Sequence, residues 1–120
     1  MKLRVVISVL ILVSVLVLGI FTVTLIKDFC GELIKLTDQA GESMSINILD
    51  SVKDRWNKKA NILSALIPHE HVDEVTLSIS RAHAFLVSGN EDEYKAEIAE
   101  IIRQLEVVKR YDFPNMRSIF

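Results

Sequence analysis

Five ionisable side chains crowd into the stretch His69-Glu70-His71-Val72-Asp73-Glu74, the part of the sequence best suited to hold a metal or move a proton. A zinc protease needs two histidines four apart on a helix, with glutamate after the first. Here the fourth position after His69 is Asp73 and the second histidine is two residues away, so the spacing rejects that motif. A looser ligand set of His71, Asp73 and His83 fails on reach. His71 and His83 would stand about 18 Å apart along one helix at roughly 1.5 Å per residue. His69, Glu70, His71 and Asp73 remain functional candidates beside a plainer reading. They open a helix, with acidic groups at its positive end and His69 or a neighbour capping free amides.

Other constellations are thinner. Ser80 and His83 are three apart, but a nucleophilic triad also needs an orienting carboxylate and an oxyanion hole, and no Gly-x-Ser-x-Gly turn exists. Glycines 19, 31, 41 and 89 are too scattered for a phosphate-cradling loop. Lys53, Arg55, Lys58 and Lys59 surround Trp56, a pattern that suits anionic lipid or wall polymer. Trp56 also lies on an apolar stripe, which favours a core position with lysine stems laid along the ring. The sequence therefore predicts no enzyme, no cofactor and no metal.

Four elements would position these residues. From Val5 to Ile26 run 22 residues without a charge. As a helix they extend about 33 Å, enough for a hydrocarbon core of about 30 Å. Lys2 and Arg4 precede the run and Lys27 follows it, which predicts a transmembrane helix with a narrow bias to a cytoplasmic N-terminus. A cleavable signal fits poorly, because its apolar region would be about 7–15 residues long. Residues 1–4 are then cytoplasmic, 5–26 span the membrane, and 27–120 form an extracytoplasmic domain.

Beyond the span, Leu33, Leu36 and Ala40 keep helical spacing and predict a stalk, broken in the polar stretch Gly41–Ser45. A second helix is expected from about Ser45 to Ile67, with Leu49, Val52, Trp56, Ala60, Leu63 and Ile67 on one face. Pro68 marks its end. Val72, Val75, Ile79, Ala82 and Leu86 give a third stripe, stopped at Gly89. Asn90 and Glu93 form a capping-box pair opening a fourth helix, with Tyr94, Ile98, Ile101, Leu105 and Val108 facing inward. Glu91–Lys95 and Glu106–Arg110 have ion-pair spacing. No segment alternates like a strand. Short connections at Pro68 and Gly89 predict an all-α, antiparallel up-down bundle after the transmembrane helix.

Composition bounds the partners. Residues 27–120 carry 12 Lys and Arg (14 less Lys2 and Arg4) against 16 Asp and Glu, a formal charge of −4. Nucleic acid wants a basic footprint and is not expected. The single Cys30 excludes an intramolecular disulfide but could join two copies just outside the span. In the tail, Tyr111, Phe113, Met116, Ile119 and Phe120 surround Pro114. They must fold back over the bundle or dock on something else. Met116, Ile119 and Phe120 are the candidate interaction residues.

The basic start with its apolar span, Trp56 followed by Leu63 and Ile67, the run from His69 to Val75 and the final Ile119-Phe120 carry a resemblance. The chain resembles a family of short membrane-anchored helical proteins of unknown function found in spore-forming Firmicutes. That resemblance covers essentially the whole chain and implies topology without catalytic residues. Ser118 before Ile119 departs from the family's usual ending. The expected function is a non-enzymatic membrane-anchored interaction or accessory protein. Its partners would be the lipid bilayer and another membrane protein or further copies of itself. The alternative is a ligand-sensing bundle that signals through a partner.

Overall fold

The computed structural model describes residues 2–110, and these form four helices with no strand among them. The helices are α1 (Lys2–Ser43), α2 (Ile46–Leu66), α3 (His69–Ser88) and α4 (Glu91–Lys109). Each helix packs on its neighbours in the chain, and α4 returns to α1, closing an up-down ring in which diagonal helices make no close backbone approach. Antiparallel register follows from the cross-contacts. Trp56 meets Thr76 and Asp50 meets His83 between α2 and α3. Ser78 meets Gln104 between α3 and α4, and Ala40 meets Tyr94 between α1 and α4. All-α architecture with a long apolar N-terminal helix is thus the fold.

The expected stalk does not stand apart. α1 is one helix of 42 residues; its first half projects, and its second half is the first member of the bundle. The projecting half is long and apolar enough to cross a membrane, and none of its apolar window is buried. Thr22 and Thr24 donate their hydroxyls to the carbonyls of Leu18 and Ile20, at 2.8 and 2.9 Å, satisfying themselves within the helix. In the second half, Cys30, Leu33, Thr37 and Ala40 are buried. Gly41 does not break the helix. A Cβ there would lie 2.8 Å from Cγ2 of Ile98, so the glycine lets α4 approach closely. The break falls at Met44, which takes φ 50°. Ser45 then caps α2, its hydroxyl accepting from the Ile48 amide at 3.4 Å.

Pro68 and Gly89 act as expected. Ile67 is extended (φ −128°, ψ 162°), and Gly89 is left-handed (φ 78°). Two end interactions differ. The N-cap of α3 is Pro68, which makes no side-chain cap bond, and Asn90 does not cap α4 through its side chain, so the Asn90–Glu93 capping box is absent. The turn at Asn90 (φ −87°, ψ 83°) leaves α4 started by backbone geometry, with Glu91, Asp92 and Glu93 at its positive end. Glu91 and Lys95 pair at 3.1 Å. Arg110 instead donates to the backbone carbonyl of Glu106 at 3.3 Å, because the helix ends there and exposes that acceptor.

The core is the set of stripes turned inward, centred on Trp56 and Tyr94, both fully buried. Tyr94 donates its hydroxyl to the Ala40 carbonyl at 2.6 Å. That carbonyl belongs to the last turn of α1, where a helix runs out of its own amide donors. Burial pushes the phenol above its ordinary value, keeping it a donor. Tyr94→Phe should therefore cost about 1–3 kcal/mol, since it strips a buried acceptor of its partner. Thermal unfolding of the full chain checks this, and an unchanged midpoint would refute the capping role.

Candidate functional site

The strongest candidate site lies at the base of the bundle, where α1 leaves its apolar run and α2 ends. A groove of about 550 Å³ separates the two helices. Leu25, Ile26 and Phe29 of α1 face Ile62 and Leu66 of α2 across it. Its charged groups are Asp28 and Glu32 on α1 and Lys59 on α2, and Thr22 adds a hydroxyl. The antiparallel register brings the end of α2 back to the level of Thr22–Phe29. Behind the groove, Phe29 stacks on Trp56 with ring centroids 6.4 Å apart and planes 19° from parallel.

The Trp56 cluster resolves in favour of the core. The indole is fully buried and donates Nε1–H to Thr76 Oγ1 at 2.9 Å, while Lys53, Arg55, Lys58 and Lys59 are exposed around it. Among them, Lys59 lines the groove.

The cluster at the start of α3 is not gathered into a site. His69, Glu70 and Asp73 are exposed and His71 is half-buried. Only His71 of the four turns to α4, where it lines a hollow of about 70 Å³ with Glu74, Arg103 and Gln104. That space suits small solvent rather than a substrate. No group of three or more His, Cys, Asp or Glu among the described residues could hold a metal ion. His83 turns to α2 instead, 3.7 Å from Asp50.

Beside that hollow runs a polar seam that sequence reading missed. Gln104 is buried and donates to Ser78 Oγ and to Glu100 Oε1, each at 3.1 Å. Arg103 forks onto the Glu100 carboxylate, holding it below the ordinary glutamate range. The seam fixes the α3–α4 register. Ser78 and Gln104 flank Ile79 and Leu105 in sequence and each widens an apolar stripe by one position, which is the signal that could have found them.

Cys30 is not placed to join two copies. It is fully buried, and burial pushes its thiol from 9.0 up to about 11 against a smaller opposing pull from Lys109. A thiol raised on folding holds its proton in the folded state. Its contribution to stability is intact below the unfolded value and is lost as pH rises from 9.0 through about 11. Alkylation at pH 8 should run at least about 100-fold slower in the folded chain than in urea, as two units of thiolate depletion require. Equal rates would place Cys30 at the surface. Met116, Ile119 and Phe120 lie outside the described residues.

These features define a class: a helix able to cross a membrane, continuous with a four-helix bundle that carries an apolar groove at its base. The particular family follows from the sequence. Residues 20–119 match the domain of unknown function DUF4363, and the chain belongs to that family. Neither the curated proteins nor the solved structures give a match.

Proposed function

We propose that the protein is a single-pass membrane protein whose extracytoplasmic bundle acts without catalysis, as an accessory or interaction module for a larger membrane protein or for further copies of itself. In this reading residues 1–4 are cytoplasmic, 5–26 cross the cell membrane and 27–120 lie outside, in a spore-forming Firmicute. The observation that carries it is the continuity of α1. One unbroken helix is lipid-compatible over its first half and a core member of the bundle over its second. A rotation or tilt of the span is therefore a rotation or tilt of the bundle.

Purification of the tagged full-length protein in mild detergent tests the reading. A single stoichiometric membrane partner, or a defined homo-oligomer, supports it. A lone monodisperse monomer contradicts it and favours ligand sensing. Deleting Met116–Phe120 should release a partner docked on the tail while helicity is retained.

A further inference from the structure

We propose that the groove between α1 and α2 holds an acyl chain of a bilayer phospholipid with a zwitterionic headgroup, seating the base of the bundle at the membrane surface. The proposal rests on the membrane reading of α1 and adds to it a site.

Three observations carry it. The first is depth. The apolar run is about 33 Å long against a hydrocarbon core of about 30 Å, so its last turn lies where chains meet headgroups. Leu25 and Ile26 belong to that turn and line the groove, and register brings Ile62 and Leu66 of α2 to the same level.

The second is continuity. Phe21 and Leu18, one and two turns below Leu25, are 59% and 64% exposed, and Leu25 and Ile62 are 52% and 57% exposed. The lipid-compatible surface of the span therefore runs into the groove past Thr22, whose hydroxyl is already bonded to the Leu18 carbonyl. A chain lying along the span enters the groove without leaving the bilayer, and the volume falls within the roughly 300–1,000 Å³ of ordinary ligand sites.

The third is charge. Lys59 faces Asp28 and Glu32 about the groove, one cation and two carboxylates. A phosphate finds Lys59, and a headgroup ammonium finds the carboxylates. An anionic headgroup without that ammonium would meet net repulsion.

The test uses the full chain with Cys30→Ala, shown to keep its helicity, in vesicles of phosphatidylethanolamine and phosphatidylcholine. A nitroxide is placed at Ile62→Cys, with Val13→Cys as the span reference and Val87→Cys, at the far end of α3, as the water reference. Collisions with oxygen and with a water-soluble nickel chelate are compared. Ile62 should favour oxygen, as Val13 does and Val87 does not. Nickel access at Ile62 would put water in the groove, and access to neither would mean that protein covers it, whether the tail or a second copy. Either result overturns the proposal while Val13 still reports a sound anchor. Nickel access at Val13 would instead overturn the membrane reading itself. With spin-labelled lipids, phosphatidylethanolamine should show a larger motionally restricted share than phosphatidylglycerol. Equal or reversed shares overturn the headgroup assignment.

Discussion

Trp56→Ala should destabilise the bundle by about 3–5 kcal/mol, the usual cost of emptying a large aromatic site in a core. The indole is fully buried, stacks on Phe29 and donates to Thr76. Removing it loosens α2 against α1 and α3 together, because the indole stacks on Phe29 of one and bonds Thr76 of the other. A domain of this size has about 5–15 kcal/mol to lose, so the variant approaches the unfolding threshold. Far-UV circular dichroism of the detergent-solubilised full chain should show a midpoint lowered by roughly 12–40 °C, at about 4–8 °C per kcal/mol. Thr76→Val should cost only about 0.5–1.5 kcal/mol, the net worth of one hydrogen bond. If Trp56→Ala cost no more than Thr76→Val, the aromatic packing would not be the centre of the core.

Val13→Arg together with Leu16→Arg should release the protein from the membrane. Each arginine at the centre of a spanning helix costs about 2.5–3.5 kcal/mol, and the lost apolar residues add about 0.3–0.6 kcal/mol each. The pair shifts partitioning by roughly four to six orders of magnitude, at about 1.4 kcal/mol per factor of ten. The measurement is the carbonate-resistant fraction of the tagged chain. An equivalent pair of arginines at Leu77 and Val87, both exposed on the bundle, should leave that fraction unchanged. Retention of the double-arginine span in the membrane would mean that something other than α1 holds the protein there.

Much of this fold was legible in the sequence because local chemistry and global packing agree. Pro68 and Gly89 impose their breaks on any surrounding structure, and the stripes of α2, α3 and α4 turn inward almost residue for residue. Where reading fell short, the deciding term was long-range. The break expected over Gly41–Ser45 falls at Met44, while Gly41 itself stays helical and serves the close approach of Ile98 from α4, which local sequence does not reveal. The stretch after Ile26 reads as a free stalk, since Leu33, Leu36 and Ala40 make a sparse stripe. The helices that cover it include α4, whose Lys109 comes over Gly31 from the other end of the sequence.

The base groove was legible only in part. Leu25, Ile26, Ile62 and Leu66 are unremarkable apolar residues in two separate helices, and the antiparallel register alone brings them together. The histidine-rich run shows the converse. Density in sequence drew attention to His69, Glu70, His71 and Asp73, but a helix start spreads neighbours around its circumference, and only His71 faces another helix.

The most direct measurement is labelling of single cysteines in intact cells with a membrane-impermeant maleimide, in a Cys30→Ala background. Val87→Cys reports the far end of the bundle and Leu3→Cys the start of α1. The account predicts that Val87→Cys is modified from outside and Leu3→Cys only after permeabilisation. Protection of Val87→Cys until the cells are opened, or modification of both in intact cells, would contradict a single crossing with the bundle outside.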